Sequence, residues 1–238
     1  MDFRRQQDVF ENRRDGGRQL AAKLLEYEGQ GVVVLAIPNG GVPVGLEVAT
    51  VLKVAFDVVI SRKIPIPLNP EAGFGAVTDD GTIILNDELV KRLGLSEQQI
   101  SLQVSEVRAK IRQRSLLYHG ERPLTSVTGK TVIITDDGLA SGFTMMAAAE
   151  SVRRRRPRET VVAVPAASAS AVNQVKKVAD RVVTCVTAFT PGFAVADFYR
   201  HWYDLNDDEV IQQIREWRSR RLHPDYRGKV TDVSSESR

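Results

Sequence analysis

The sequence predicts an α/β fold: a parallel sheet flanked by helices on both faces, with an irregular insertion between its two halves. Three observations lead there. Strand-like and helix-like segments alternate over 31–63 and again over 130–189. The strand segments, such as GVVVLA and KTVIIT, are continuously apolar rather than alternating, as strands covered on both faces are. Between the two alternating halves, 64–129 breaks the pattern.

In chain order, 3–28 carries Val9, Phe10, Leu20, Leu24 and Leu25 at helical spacing, and Gly16-Gly17 is a candidate break. GVVVLAIPNGG (31–41) is a strand ending in a turn, and 42–53 is a helix with a small-residue face. FDVVISRK (56–63) is a second strand. The proline-rich stretch 64–73 is expected to be irregular, and 74–86 to be a hairpin turning at Asp80-Gly81. Ser96 and Gln99 make a capping box for a basic helix over 96–118. Then come a strand at 130–137, a helix at 142–155, and strands at 160–167 and 181–189 around the helix SASAVNQVKKVA. A last helix covers 206–218, capped by Asn206 or Asp207. One domain over 1–218 is expected, with a charged, Ser-rich, flexible tail over 219–238.

Composition bounds the function. Hydrophobic residues are 42% of 238, enough for a sizeable core, and the net charge of +3 suits an anionic ligand without requiring one. The single cysteine, Cys185, leaves no intrachain disulfide and argues against a thiolate zinc site. Its apolar setting predicts a buried structural thiol. The start, MDFRRQQDVFENRR, has no apolar signal-peptide core, and no apolar run approaches the ~20 residues of a membrane span. A cytoplasmic protein is the expectation.

Two turns carry chemistry, both at strand carboxyl ends, where open parallel sheets bind ligands. In VIITDDGLASGFT (132–144), Asp136 and Asp137 stand side by side, and like charges in contact repel. Gly138, Leu139, Ala140, Ser141, Gly142, Phe143 and Thr144 then lead into a helix. Backbone N–H groups at a helix start, helped by Ser and Thr hydroxyls, cradle a phosphate. A phosphate next to hydroxyl-binding carboxylates fits a ribose 5-phosphate. The other turn is Pro38, Asn39, Gly40 and Gly41.

VIITDDGLASGFT resembles the thirteen-residue signature of type I phosphoribosyltransferases, position by position. NRRDGGRQLA, AIPNGGVPVGLEVA, SRKIPIPLNPEAGFGAVTDDG and FYRHWYDLNDDEV resemble a less characterised bacterial and archaeal branch of that family, together covering 10–215. Asn39 stands where the branch usually has Arg, and Ser141 where it usually has Thr. The resemblance implies that Asp136 and Asp137 hold the ribose hydroxyls and, directly or through water, a Mg²⁺ ion. It implies that Gly138 to Thr144 hold the 5-phosphate. Pro38 to Gly41 would hold pyrophosphate on backbone amides, often through a non-proline cis peptide. Arg62 and Lys63 would be pyrophosphate contacts, and a homodimer is the family expectation.

The implied reaction moves the 5-phosphoribosyl group from phosphoribosyl pyrophosphate to a nitrogenous, nucleobase-like acceptor, with loss of pyrophosphate. FTPGFAVADFYRHWYDL (189–205) holds six aromatics. It resembles the stretch that stacks on the purine in hypoxanthine-type members, which makes Phe198, Tyr199 and Trp202 acceptor-pocket candidates; packing of the last strands is the competing reading. His119, His201 and His223 lie outside both turns. Two alternatives stand beside the transferase: a non-catalytic regulator that senses phosphoribosyl pyrophosphate and binds nucleic acid, and a phosphorolysis. The runs RRRRPR (153–158) and VRAKIRQRS are the features a nucleic acid would use, although cations closing a helix explain the first better, and a solvated, salt-bridged surface competes for the second.

Overall fold

The computed structural model describes residues 9–29, 31–67, 69–120, 122, 124–190 and 192–222. Its helices are α1 (Arg13–Ala22), α2 (Gly41–Leu52), α3 (Asp87–Leu93), α4 (Glu97–His119), α5 (Phe143–Arg154), α6 (Ala169–Val175) and α7 (Asp207–Leu222). Its strands are β1 (Val32–Ala36), β2 (Ala55–Val58), β3 (Ser61–Ile66), β4 (Asn69–Thr78), β5 (Ile83–Leu85), β6 (Thr131–Thr135), β7 (Gly138–Leu139), β8 (Glu159–Ser168) and β9 (Arg181–Ala188).

The main sheet is parallel, in the order β2-β1-β6-β8-β9. Its central strands are buried from end to end, and their side chains divide by the pleat. Val32, Val34 and Ala36 join a core with α1, α2, α4 and α7. Val33 and Leu35 join a second core with α5 and α6. A sheet covered on both faces is what the continuous apolar runs predict. Sequence order reverses between β1, whose chain continues toward β2, and β6, whose chain continues toward β8. The sheet therefore has a switch point at the β1–β6 boundary.

Several local expectations are corrected. The helix expected over 3–28 is shorter: among the described residues it begins at Arg13, where the Asn12 side chain accepts from Asp15 N, and a 3-10 turn follows at Leu25–Tyr27. Gly16 and Gly17 do not break it. A Cβ on Gly17 would lie 2.8 Å from the Val44 carbonyl of α2, so this glycine permits close helix packing. The segment 56–63 is two strands in two sheets. Ser61–Ile66 turns out of the parallel sheet and pairs with β4 in an antiparallel β3-β4-β5 sheet. Pro65 is accommodated there by a shift in register, so part of 64–73 is regular after all. Helix α3, capped by Asn86 and closed by Gly94 at φ 62°, has too few residues for a clear apolar period. The expected tail at 219 begins later, because α7 runs to Leu222; the remaining tail, 223–238, lies outside the described residues.

Other expectations stand. The Ser96–Gln99 capping box forms in both directions. Asn206 caps α7 by accepting from Glu209 N at 2.9 Å. Cys185 departs in one respect: expected to be buried, it is half-buried, and desolvation still pushes its thiol up to about 11, away from nucleophilic use. No described helix is long and apolar enough to cross a membrane.

Candidate active site

The two turns leave neighbouring strands. β1 ends at Ala36 and β6 at Thr135, directly paired across the ladder. The Ile37 amide donates to the Thr135 carbonyl at 2.9 Å and holds the first turn against the second. The Pro38–Asn39 peptide is cis. A Cβ on Gly40 would lie 1.9 Å from Asp137 Oδ2, and one on Gly41 2.8 Å from the Thr135 carbonyl. Both glycines are there for space: the backbone of one loop presses on the acids of the other.

The acid pair is largely enclosed. Asp137 N donates to Asp136 Oδ1 at 2.8 Å. Desolvation, and then the charge of Asp137, push the Asp136 carboxyl well above the ordinary carboxylate range. Desolvation also raises Asp137, against the opposing pull of Arg13. Arg13 Nε donates to Asp137 Oδ2 at 2.8 Å, and Arg13 is only 7% exposed. Its Nη1 donates to the Tyr203 carbonyl at 2.7 Å, and its guanidinium lies 3.7 Å from the ring centre of Trp202. The Tyr199 hydroxyl donates to the Asp137 carbonyl at 2.6 Å.

The stretch after the acids is less of a free loop than the sequence suggests. Gly138 and Leu139 form β7, paired with Ala166 and Ala167. Ser168 Oγ donates to the Ala140 carbonyl at 2.8 Å. Ala140 and Ser141 are exposed, and Gly142 caps α5 at φ 82°. Phe143 and Thr144 open the helix half-buried, and the Thr144 carbonyl accepts from Ser61 Oγ at 2.8 Å. The arrangement sets up a graded response to substitution. Ser141→Ala is expected to remove one contact worth at most about 1.5–3 kcal/mol of phosphate binding. Gly142→Val is expected to abolish binding, since a β-branched residue is strained at that φ and its Cβ would lie 3.3 Å from Val175. Calorimetric titration of both variants with phosphoribosyl pyrophosphate checks this. Equal, mild losses would place the phosphate elsewhere.

Arg62 and Lys63 are expected together at the end of a parallel strand; the structure puts them on β3 of the other sheet. Adjacent on a pleated strand, they point to opposite faces. Arg62 turns toward α4, where burial and then the charge of Arg114 push its guanidinium down. Lys63 is exposed on the other face.

The acceptor-pocket expectation is also corrected. Phe198 and Tyr199 are 2% and 3% exposed, packed with Phe10, Ala166 and Ala188. They build the wall behind Asp137 and have no free face for a base. Trp202 is half-buried, with Arg13 stacked on its ring.

Four residues at the site escape sequence reasoning: Arg13, Arg114, Tyr118 and Asp207. Asn39 Nδ2 donates to the Leu205 carbonyl at 2.7 Å and to Asp207 Oδ1 at 3.0 Å. Asn39 Oδ1 accepts from Tyr118 Oη at 2.9 Å and Arg114 Nη1 at 3.2 Å. Arg114 Nη2 pairs with Asp207 Oδ1 at 2.9 Å. The available signals were weak: Arg114 and Tyr118 share a face of α4 by their spacing of four, and Arg13 and Asp207 lie inside the resembling pieces NRRDGGRQLA and FYRHWYDLNDDEV. Of the histidines, His119 is buried 3.6 Å from Asp57, and His201 pairs with Glu11 at the surface; His223 lies outside the described residues.

Comparison with known proteins bears on the family and the fold. The Phosphoribosyl transferase domain family matches residues 6–197. The crystal structure of TT1426 from Thermus thermophilus is 35% identical, with a TM-score of 0.71, over 87% of this chain and 98% of that one. Two Mycobacterium tuberculosis proteins, "Putative phosphoribosyl transferase MT0597" and "Putative phosphoribosyl transferase Rv0571c", are each 36% identical over 203 residues. That is 85% of this chain but 46% of theirs, so the chain spans about half the length of these curated relatives. With a family match over most of its length and a mostly parallel sheet carrying the acid pair at its switch point, the chain belongs to the phosphoribosyl transferase domain family.

Proposed function

We propose that the chain is a Mg²⁺-dependent phosphoribosyltransferase. It moves the 5-phosphoribosyl group of phosphoribosyl pyrophosphate to a nitrogenous, nucleobase-like acceptor and releases pyrophosphate. The observation that carries this reading is the contact of Gly40 with Asp137, which presses a backbone loop against a desolvated acid pair at the switch point. In this reading Gly138 to Thr144 and the α5 N-terminus hold the 5-phosphate. Asp136 and Asp137 accept hydrogen bonds from the ribose 2- and 3-hydroxyls. The Pro38–Gly41 backbone and Arg62 receive the pyrophosphate, and Lys63, exposed on the opposite face of β3, is left out of that contact.

Mg²⁺ suits the residues present. The pair offers hard carboxylate oxygens whose ionised form burial disfavours, a cost that a bound cation would offset. Among the described residues no group of three or more His, Cys, Asp or Glu forms a metal cage, and Mg²⁺ completes its shell from water and polyphosphate. When bound, the ion neutralises charge on the departing pyrophosphate. The C1–O bond breaks with its electron pair leaving on pyrophosphate; the acceptor nitrogen's lone pair forms the C1–N bond, and its proton passes to solvent. Arg62 and the loop amides stabilise the leaving group, and the acids hold the ribose while positive charge develops at C1. A panel of nucleobases with labelled phosphoribosyl pyrophosphate tests the reading, with Mg²⁺-dependent pyrophosphate release from at least one as the expected result. Tight binding without release from any base would turn the reading toward a sensor.

The acid pair predicts a pH dependence with a definite sign. A carboxyl whose folded pKa is raised costs stability as pH climbs from its unfolded value through its folded one. Asp136→Asn is therefore expected to raise the melting temperature of the ligand-free chain at neutral pH, and to flatten its decline over that window. Ligand binding needs the ionised pair, so Mg²⁺–phosphoribosyl pyrophosphate should release protons on binding, and bind more weakly as pH falls below the raised value. Calorimetry in buffers of different ionisation enthalpy measures that release.

A further inference from the structure

The segment 203–207 ties both ends of the site together. The Tyr203 carbonyl accepts from Arg13, which itself neutralises Asp137. The Leu205 carbonyl accepts from Asn39. Asp207 Oδ1 receives Asn39 Nδ2 at 3.0 Å and Arg114 Nη2 at 2.9 Å, and shares the single Tyr118 O–H, at 2.9 Å, with Asn39 Oδ1. Asp207 is the first residue of α7, yet its helix does not depend on that side chain for its cap. Asn206 does the capping, with Glu209 Oε2 accepting from Asn206 N in return at 2.9 Å. The Asp207 carboxylate is therefore given over to α4 and the Asn39 loop. Arg114 and Asp207 are 21% and 30% exposed, so water and an incoming ion can reach the pair.

The Asn39 loop is the one assigned to pyrophosphate above, and the inference rests on that reading. Beside the loop lie the cations Arg62 and Arg114 and, paired with the second, the Asp207 carboxylate. That carboxylate makes contacts of the kind a phosphate oxygen makes: one arginine N–H, a tyrosine hydroxyl and an amide N–H. We propose that Asp207 is an internal anion, occupying in the ligand-free chain the seat that a diphosphate oxygen takes. Arg114 is then a diphosphate-binding residue released when Asp207 yields, and the 203–207 segment is a strap that the diphosphate displaces. The same arrangement accounts for Asn39. Its side chain is consumed in fastening the strap, and the cation of this corner comes from α4 instead.

The test is calorimetric titration of inorganic pyrophosphate, with Mg²⁺, into the full chain and its variants. Asp207→Asn keeps the shape, removes the competing charge and is expected to tighten binding roughly tenfold, the scale of one charge-assisted contact. Arg114→Gln is expected to weaken binding by a similar factor and to erase the Asp207→Asn gain in the double variant. Tyr118→Phe, which loosens the hold on Asp207 without touching its helix, should also tighten binding; it serves if Asp207→Asn proves unstable in a thermal melt. Unchanged or weaker binding by folded Asp207→Asn or Tyr118→Phe, or no pyrophosphate binding by any form, overturns the proposal. The readout needs no acceptor and no turnover. A chain that transfers phosphoribosyl groups but shows no gain in these variants loses this inference and keeps its function; one that shows the gain without turnover does the reverse.

Discussion

Asp137→Asn is expected to lose Mg²⁺-dependent binding of phosphoribosyl pyrophosphate by a hundredfold or more while the chain stays folded. The binding loss combines a ribose hydroxyl contact and half of the charge that attracts the metal; two contacts of about 1.5–3 kcal/mol each reach that factor. Stability needs a comparison of two effects. Removing one partner of a buried ion pair costs about 3–5 kcal/mol when the other is stranded. Arg13 is not stranded here: it keeps the Tyr203 carbonyl and the Trp202 ring, and an amide oxygen at residue 137 still accepts from its Nε. Asp136 meanwhile loses the like charge that helps push its carboxyl up. The net cost should be about 1–2 kcal/mol, one charged contact made neutral. Thermal melts and calorimetry separate the two readouts. Wild-type affinity in this variant would remove Asp137 from the ligand site.

Gly40→Ala is the second large effect, and its cause is purely steric. Gly40 has φ −59° and ψ −35°, a conformation any residue adopts, so no backbone strain enters. The added Cβ would lie 1.9 Å from Asp137 Oδ2 and 2.5 Å from Asp137 Cγ. That carboxylate is short, and Arg13 fixes it, so it cannot swing aside without breaking the pair. Either the loop retreats or Asp137 turns, and both separate the two halves of the site. The expectation is a stability loss of about 1–3 kcal/mol, as for other overpacked sites, with at least tenfold weaker ligand binding. Gly31→Ala, with nothing within 4 Å of its added Cβ, is the control and should behave as wild type. Near-wild-type binding by Gly40→Ala would mean that the contact between the loops does not organise the site.

Much of this protein was legible before folding. Strand runs such as Val32–Ala36 are short, rich in β-branched residues and apolar at every position, as strands of a two-sided sheet are, and the helices between them follow from local spacing. The capping of α4 by Ser96 and Gln99 is written within four residues. The two turns were legible for the same reason. Each lies within a dozen residues of its strand, and the parallel order brings strand ends to one edge without further information.

Short elements and strand exits were harder to read. The departure of Ser61–Ile66 into a second sheet depends on pairing with β4, and nothing in SRKIPI announces it. That exit decides that Arg62 faces α4 and Lys63 does not. The aromatic stretch is a similar case. Phe198 and Tyr199 have the composition of a stacking platform, but Phe10, far away in the chain, fills the space beside them.

What the sequence by itself determined is the frame and the candidate site residues: a parallel sheet, an acid pair, a glycine loop and a Gly- and Ser-containing turn into a helix, all encoded in contiguous stretches. What only the tertiary structure decided is the charge that faces those groups. Arg13 meets Asp137 across 124 residues, and Asn39 meets Asp207 across 168. Such pairs have no local pattern, because any of the chain's 33 Lys and Arg residues could neutralise a carboxylate equally well in composition. Which one does so is settled by the packing of α1, α4 and α7 around the sheet: a buried acid is compensated by whichever cation the folded helices carry within hydrogen-bonding distance.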